Sequence, residues 1–243
     1  MIYNETNYLS MKKIKVNKSP TRNNYYVVVP VYNEEKNIVS FLNKLKKYSS
    51  NIIVVNDGSI DKTAELVKEI TSVKLINLKR NRGKGIAMKT GAKYAWRLNA
   101  KGVIFMDGDN QHDPKHIQEF INLLENSTDI IIGVRVIKAQ IPITRRFGNN
   151  VFMYLIKIMF DIDIPDILCG YRAFTKKGLK NVMWESAGYG VETEMLTTIG
   201  RKRIPFKTVI VDTIYLDKYK GFSILGGLNI LFKLPYWRFK KLF

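Results

Sequence analysis

Two aspartates follow an apolar run near the middle of the chain. The stretch VIFMDGDNQHDP places Asp107 and Asp109 one residue apart, directly after four apolar residues. Carboxylates at the end of a buried strand cost roughly several kcal/mol each unless a positive group meets them. Hard cations such as Mg²⁺ take oxygen ligands, and one or two carboxylates with substrate phosphates are typical. On an extended backbone, Gln111 adds an amide oxygen to the same face, so the stretch suits a divalent cation.

A helix-starting turn is the alternative interpretation of the same stretch. Asp113 stands directly before Pro114. Aspartate is a favoured N-cap, and proline is favoured at the first position of a helix. Taken alone, the stretch supports the cation site and the turn equally.

Two more polar stretches follow apolar runs earlier in the chain. In NDGSIDKT, Asp57 is placed to accept hydrogen bonds from a base or a ribose, although these residue types also form tight turns. In NRGKGIAMKTG, Lys84 stands between two glycines where a helix is predicted to begin, which favours an anion. This stretch matches neither the phosphate-loop motif nor the dinucleotide motif, so a solvated basic turn is its alternative.

The apolar runs in the first half alternate with amphipathic segments. Strands are predicted at 25–31, 52–56, 73–78, 101–106 and 129–133, and helices at 34–48, 61–70, 85–98 and 114–125. A helix near 145–160 and a strand near 205–213 follow. This alternation is typical of an α/β fold with a mostly parallel sheet flanked by helices. The carboxyl ends of parallel strands share one edge, so the polar stretches are expected to meet there.

Charge is the unusual feature of the composition. The 243 residues suit one large domain, and 40 Lys and Arg against 21 Asp and Glu give a net charge of +19. Such an excess implies an anionic partner, for which nucleic acid, acidic lipid and phosphorylated substrates all qualify. A single cysteine excludes an internal disulfide framework.

Three segments are predicted along the chain. Residues 1–24 form a basic arm without the apolar block of a signal peptide or a membrane span, and residues 25–221 form the domain. Residues 222–243 are apolar, aromatic and basic, and Pro235 is expected to interrupt them. About 20 apolar residues are needed to cross a bilayer, so this tail is predicted to lie in the membrane interface instead. The segment 149–160 suits either an interfacial helix or a core helix.

The order of the polar stretches resembles a known enzyme family. The stretches are VVVPVYNEEKNI, IIVVNDGSIDKT, NRGKGIAMKTG, FMDGDNQHDP, GVR, DILCGYRAF and GYGVETEM. In this order they resemble the inverting nucleotide-sugar glycosyltransferases of family 2, most closely the dolichol- or polyprenol-phosphate mannose synthase branch. The resemblance covers about residues 25–223. It implies the GT-A nucleotide-diphospho-sugar transferase fold, with C-terminal amphipathic helices.

The resemblance also implies roles for individual residues. Those implied for nucleotide binding are Pro30, Tyr32, Glu34, Asp57, Lys84 and Asp107. Those implied to hold Mg²⁺ or Mn²⁺ are Asp107, Asp109 and Gln111. Those implied to meet the acceptor phosphate are Arg135, Arg145, Arg146 and Lys218. The residues expected to act in catalysis are Asp109, Arg135 and Glu192.

Three features depart from the family pattern. The usual D-A-D reads Asp107-Gly108-Asp109, Lys218 stands where an arginine is usual, and the lysine that normally ends the same motif is missing. Lysine meets a phosphate as a point charge but cannot bind it through a bidentate fork. The Q-x-x-R-W motif of the polysaccharide-building branch is not found, which argues against a cellulose- or chitin-synthase role.

The implied reaction is a single displacement at the anomeric carbon of GDP-mannose, UDP-glucose or UDP-N-acetylglucosamine, on the cytoplasmic face of an anionic membrane. A polyprenyl or dolichyl monophosphate acceptor is already ionised near neutral pH, since the second pKa of a phosphate monoester is about 6, so no base is required. A sugar hydroxyl acceptor instead requires a base, for which Glu192 or Glu194 are the candidates. A basic nucleic-acid- or membrane-binding protein without catalysis is the third hypothesis. No nucleic acid is expected, because the acidic cluster repels phosphate and no binding motif occurs.

Overall fold

The structure is a computed structural model that describes residues 24–135, 143–212 and 224–240. Within these ranges, side chains are not described for 143–149 and 224–228.

Seven strands of the described residues form one mixed sheet. They are β1 Tyr25–Val31, β2 Ile52–Asn56, β3 Val73–Asn77, β4 Gly102–Phe105, β5 Ile130–Arg135, β6 Arg172–Thr175 and β7 Lys207–Val211. Their order across the sheet is β3-β2-β1-β4-β6-β5-β7. Strands β1 to β4 pair in parallel, as do β5 and β7, and only β6 runs antiparallel to its neighbours β4 and β5. The predicted mostly parallel α/β sheet is therefore confirmed.

Eight helices in the described part of the chain cover the two faces of this sheet. They are α1 Ile38–Leu45, α2 Thr63–Lys68, α3 Lys84–Arg97, α4 Ile117–Asn126, α5 Ile143–Phe160, α6 Lys176–Asn181, α7 Val191–Arg201 and α8 Ile224–Phe239. One apolar core lies under α1, α2 and α4, and the other under α3, α5, α7 and α8. The inner strands of the sheet are thus buried on both faces, which explains why they read as apolar runs, whereas the edge strands β3 and β7 are partly exposed.

Strand β1 lies in the centre of the sheet although it contains Pro30, and proline is normally excluded from central strands. The carbonyl of Val28 accepts a hydrogen bond from the N–H of Met106 at 3.2 Å on the β4 side. The backbone nitrogen of Pro30, two residues after Val28, points to the same side. At that level β4 has already ended, because its last residue is Phe105. The missing N–H of Pro30 therefore costs no ladder hydrogen bond.

Strand β6 is the strand that the sequence pattern did not predict, and the pattern did not predict helices α6 and α7 either. Strand β6 has four residues, and the fully buried Arg172 interrupts its apolar pattern. The guanidinium donates hydrogen bonds to the carbonyls of Ile167, Cys169 and Glu192 at 2.6 to 3.0 Å, which satisfies its donors inside the protein. Because β6 is antiparallel, the residues before it lie at the edge where β4 and β5 end.

Helix α8 packs one side against the domain. Ile230, Leu234 and Trp237 are buried in the core, and α8 contacts both α7 and α5. The helix continues through Pro235, which the sequence pattern predicted to be an interruption. Pro235 is exposed, so its ring lies on the side of the helix that faces away from the domain. Within the described ranges, no helix is both long and apolar enough to cross a bilayer.

Candidate functional site

The carboxyl edge of the sheet gathers the residues that the sequence singled out. Strand β1 leads into Tyr32 and Glu34, β2 into Asp57, β4 into the stretch 107–111, and β5 ends at Arg135. Two more side chains reach this edge from helices, because Lys84 is the first residue of α3 and Glu192 lies in the first turn of α7. The expectation that these stretches meet at one edge is met.

Lys84 joins two carboxylates at this edge. Its Nζ lies 2.5 Å from Oδ1 of Asp107 and 2.6 Å from Oε1 of Glu192, and the three side chains are 13%, 26% and 4% exposed. Burial alone lowers the pKa of Lys84, but the charges of Asp107 and Glu192 outweigh it and raise that pKa. Burial likewise opposes ionisation of Asp107, yet Lys84 and then His112 hold the pKa of Asp107 well below its usual range. Lys84 and Asp107 are therefore both ionised at neutral pH, and the three side chains form a triad of two ion pairs.

Asp57 fixes the turn from which Lys84 projects. Its Oδ1 accepts a hydrogen bond from the N–H of Arg82 at 2.8 Å, and its Oδ2 accepts one from the N–H of Gly83 at 2.7 Å. Gly83 has φ +95°, a conformation that glycine adopts readily. Asp57 is buried and acts here as a turn anchor, and its carboxylate oxygens keep further lone pairs for a ligand. A cleft opens beside this turn, lined by Asn77, Leu78, Lys79, Arg80 and Arg82.

The backbone after Asp107 turns, whereas the predicted alignment of Asp107, Asp109 and Gln111 required an extended chain. Asn110 has φ +63°, and its Oδ1 accepts a hydrogen bond from Nζ of Lys44 at 3.1 Å. Asparagine tolerates this left-handed conformation better than most residues. Asp109 then accepts the N–H of Gln111 at 3.0 Å through Oδ1. The turn replaces the extended geometry but keeps both carboxylates at the edge.

The surroundings of Asp109 in this turn disfavour its ionised form. Burial raises its pKa, and the negative charge of Asp107 raises it further, with a smaller contribution from Glu34. When two carboxylates are close enough to oppose one another's ionisation, a bound divalent cation offsets the repulsion between them. No three His, Cys, Asp or Glu side chains of the described residues form a metal cage by themselves. The two carboxylates therefore suit an ion that takes its remaining oxygens from a bound ligand, and the contribution of Gln111 stays a prediction.

Gly108 is required by packing at the position where the family usually has alanine. A Cβ at this position would lie 2.5 Å from Cγ1 of Val31 and 3.3 Å from Cγ1 of Val29. The glycine therefore lets the turn sit directly on β1. Glycine in place of the alanine of D-A-D therefore allows close packing on β1, and both carboxylates are retained.

The turn interpretation also holds, for a different residue of the same stretch. Asp113 Oδ1 accepts the N–H of Lys115 at 3.0 Å, at the start of a 3-10 turn, Pro114–His116, that leads into α4. Asp113 is therefore the cap that the sequence pattern proposed, while Asp107 and Asp109 belong to the edge.

Arg135 has a partner that the sequence did not indicate. Its Nε lies 2.6 Å from Oδ2 of Asp166, and its Nη2 lies 3.0 Å from Oδ1, in a bidentate fork. Burial lowers the pKa of Arg135, but Asp166 more than offsets this, and Asp107 adds to the rise. The fork holds the guanidinium at the end of β5 and leaves Nη1 outside it. Asp166 was missed because it reaches β5 only through the antiparallel course of β6.

The two glutamates of α7 have different surroundings. Glu194 is buried, and its two oxygens accept the N–H groups of Glu185 and Ser186 at 2.9 and 2.8 Å. It therefore anchors a loop and does not reach the edge as the candidate base that the sequence suggested. Glu192 is at the edge, but its carboxylate is bound to Lys84.

The remaining predicted residues fall into two groups. Pro30 is buried within β1, so Tyr32, 41% exposed, and the half-buried Glu34 are the residues of that segment nearest the surface. Arg145 and Arg146 lie in the first turn of α5, where side chains are not described, and Lys218 lies outside the described residues.

Comparisons with known proteins agree with this architecture. The model of the family described as Glycosyl transferase family 2 matches residues 26–183. Over 235 residues the chain is 28% identical to the UDP-N-acetylglucosamine–dolichyl-phosphate N-acetylglucosaminyltransferase of Methanococcus voltae, with 86% of this chain and 94% of that protein covered. It is 29% identical over 229 residues to the dolichol-phosphate mannosyltransferase of Pyrococcus furiosus, with 87% and 63% covered.

A solved structure shares the fold. Glucosyl-3-phosphoglycerate synthase from Mycobacterium tuberculosis, crystallised with Mn²⁺, UDP and phosphoglyceric acid, superposes with a TM-score of 0.68 at 18% identity. The match covers 90% of this chain and 79% of that one. This likeness shows the GT-A fold. The family model covers well over half of the chain, and the matched range includes Asp57, Lys84, Asp107 and Arg135: the chain belongs to glycosyl transferase family 2.

Proposed function

We propose that this glycosyltransferase moves a sugar, with inversion, from a nucleotide-diphospho-sugar to a polyprenyl or dolichyl monophosphate. The observation that carries the choice of acceptor is the state of the two candidate bases. Glu192 is ion-paired with Lys84, and both oxygens of Glu194 accept backbone N–H groups. A hydroxyl acceptor needs a base with a pKa near the working pH, whereas a phosphate monoester brings its own ionised oxygen.

The names of the two relatives support the same acceptor and leave the donor open. The Methanococcus voltae protein is named for N-acetylglucosamine and the Pyrococcus furiosus protein for mannose, and both names include dolichyl or dolichol phosphate. These two relatives thus share an acceptor class in their names and differ in the sugar. GDP-mannose, UDP-glucose and UDP-N-acetylglucosamine are the donors to test.

Asp107, Asp109 and Gln111 are the residues proposed to hold Mg²⁺ or Mn²⁺. Their support is the raised pKa of Asp109, together with the Mn²⁺ and UDP bound to the Mycobacterium tuberculosis enzyme. A bound ion supplies Lewis-acid stabilisation of the charge on the leaving diphosphate.

The protein's own residues then divide the work. Lys84 fixes the Asp107 carboxylate and places one positive charge beside the diphosphate. The anchored Asp57 lies where a base or ribose would meet the turn. Arg135, held by Asp166, offers Nη1 to the acceptor phosphate, with Arg145, Arg146 and Lys218 as further proposed contacts. The positive side chains thus hold two anionic reactants together, and no proton has to leave the acceptor.

A pair of matched acceptors tests this function. The protein, Mn²⁺ or Mg²⁺ and each donor are incubated with a polyprenyl monophosphate or with the same chain as the free alcohol. We expect a lipid-linked sugar and released nucleotide only with the phosphate. Transfer to the alcohol or to a saccharide alone would support the hydroxyl mechanism. No turnover with any donor, together with salt-sensitive oligonucleotide binding, would support the binding-protein hypothesis.

The face formed by α5 and α8 is proposed to contact an anionic membrane, on the cytoplasmic side. The two helices contact one another, and each leaves apolar side chains exposed: Val151, Tyr154 and Ile158 on α5, and Phe232, Tyr236 and Phe239 on α8. Exposed Lys157, Lys233 and Arg238 lie on the same helices. Apolar and aromatic groups bordered by basic side chains suit the headgroup region of an anionic bilayer.

Phe232→Ser combined with Phe239→Ser is expected to weaken vesicle binding at least about tenfold, because each ring loses part of the roughly 1.5–3 kcal/mol of a buried Phe. Cosedimentation with vesicles containing phosphatidylserine measures the effect. Ile60→Ser is the control, since Ile60 is 88% exposed and Phe232 81%, but Ile60 lies far along the chain from both helices. Equal loss in the control, or no loss in the double variant, would contradict the membrane face.

A further inference from the structure

A short loop lies across the beginning of α3. This segment, residues 185–190, is called the strap. Glu194 accepts the N–H groups of the first two strap residues, and the carbonyl of Ala187 accepts the N–H of Gly85 at 2.5 Å. A Cβ at Gly83 would lie 2.5 Å from the same carbonyl. The strap is therefore fixed on the glycine turn that carries Lys84.

Tyr189 stands near the end of the strap with its side chain in solvent. It is 70% exposed, three residues before Glu192, which binds Lys84. Gly188 and Gly190 flank it, and nothing lies within 4 Å of a Cβ placed on Gly188. An exposed aromatic ring beside a charged cluster is unusual for a residue whose task is only to fill the core.

The two ends of the strap place Tyr189 beside the triad, because the strap lies on the glycine turn that carries Lys84 and leads into α7, whose Glu192 binds Lys84. Burial raises the pKa of its phenol, Lys84 lowers it, and Asp107, Glu34 and Glu192 raise it again. These charges agree with a ring that lies beside the triad. Arg135 and its fork with Asp166 belong to β5, which is separated from β4 by β6. Tyr189 therefore stands on the proposed donor side of Asp107.

We propose that the ring of Tyr189 binds the sugar of the donor and thereby takes part in sugar selection. This inference rests on the proposed function. If the diphosphate lies against Lys84, Asp107 and Asp109, the sugar must lie next to it, because one oxygen joins its anomeric carbon to phosphorus. A pyranose has a face of C–H groups that packs flat on an aromatic ring, and tyrosine supplies a large, rigid surface for that contact. The anchored start of the strap positions the ring in advance, which reduces the entropy lost on binding.

The ring then contributes to binding of the nucleotide sugar and leaves binding of the nucleotide alone unchanged. Tyr189→Ala is expected to weaken binding of the donor about tenfold and to leave binding of the matching diphosphate within about twofold. Tyr189→Phe should bind both nearly as the wild type does, because the contact uses the ring. The side chain is largely exposed, so the thermal unfolding of both variants should match that of the wild type.

Isothermal titration with Mn²⁺ present measures these affinities, using UDP-N-acetylglucosamine against UDP and GDP-mannose against GDP. Equal weakening of a donor and its diphosphate in Tyr189→Ala would overturn the inference, because the ring would then serve the nucleotide or the shape of the site. Unchanged affinity for both would overturn it as well. A wild-type protein that binds a donor and transfers its sugar, with an unaffected Ala variant, refutes only the role of Tyr189. A wild-type protein that binds no donor contradicts the proposed function and this inference with it.

Discussion

Asp109→Asn is expected to lower the rate of sugar transfer at least about 100-fold while leaving the metal-free protein at least as stable as the wild type. The loss of rate follows from the proposed ion, which contributes several kcal/mol to transition states that build negative charge, and tenfold in rate corresponds to about 1.4 kcal/mol. Asparagine keeps the size of the side chain and an oxygen that can accept the N–H of Gln111. The fold around the turn therefore has no reason to change.

The gain in stability follows from the sign of the Asp109 shift. Burial and the charge of Asp107 raise the pKa of Asp109 in the folded protein above its unfolded value, which is about 4. Between these two pKa values the folded state binds more protons than the unfolded state, so the stability of the wild type falls as the pH rises. Asparagine does not ionise. The variant should match the wild type below about pH 4 and exceed it in melting temperature at pH 7.

Thermal unfolding in EDTA at the two pH values and the transfer assay with added ion measure the two effects separately. Asp113→Asn is the matched control, because Asp113 lies in the same stretch but caps the turn before α4 and pairs with the partly exposed Lys115, and asparagine is an equally good cap. The control should keep its activity. An active Asp109→Asn protein would mean that Asp109 serves only the turn, and an inactive protein with a lowered melting temperature would mean that the carboxylate stabilises the fold.

The sequence predicts the strands and the edge where they end, because parallel strands buried on both faces leave long apolar runs that end in polar residues. Gly108 and Asn110 show the limit of this reasoning. The period of a strand suggests that Asp107 and Asp109 face the same way, but the chain turns because Gly108 packs on Val31 and Lys44 holds Asn110. Contacts with other elements decide this geometry, and the local residue types do not reveal them.

The ion pairs of the site could not be predicted from the sequence either. Lys84 and Glu192 are 108 residues apart in the numbering, and Asp166 meets Arg135 only because β6 enters the sheet antiparallel. Residue types indicated which side chains carry charge. The pairing depends on the sheet order, which places α3 and α7 on the same face and brings the segment before β6 to the end of β5. The sequence predicts the members of the site better than their partners.

Lys84→Met is expected to lower the free energy of unfolding by about 3–5 kcal/mol at pH 7, the cost typical of breaking a buried ion pair. Methionine fills the space of the lysine stem, so the loss comes mainly from charge. Asp107 and Glu192 would then lie near each other without the ammonium of Lys84, which is 2.5 Å from the first carboxylate and 2.6 Å from the second in the wild type. Glu192 is almost completely buried, and water cannot replace the lost partner.

The pH dependence of this loss has a definite direction. The depressed pKa of Asp107 stabilises the wild type above the unfolded carboxyl pKa, and this contribution declines as the pH falls toward the folded value. In Lys84→Met, burial without the ammonium raises the pKa of Asp107, so protonation of Asp107 relieves part of the cost. The difference in stability between the wild type and the variant should therefore be largest near pH 7 and shrink toward pH 3.

Urea unfolding at pH 7 and at low pH measures the difference, with Lys93→Met as the control. Lys93 is an exposed lysine of the same helix, and its loss should change stability by less than about 0.5 kcal/mol. Adding Glu192→Gln to Lys84→Met should recover part of the stability, because the second substitution removes a buried charge that the first left unpaired. A loss for Lys84→Met that stays below about 1 kcal/mol, or does not vary with pH, would show that the triad does not hold three charges. Glu192 would then be free to act as a base, and the case for a phosphate acceptor would lose its main support.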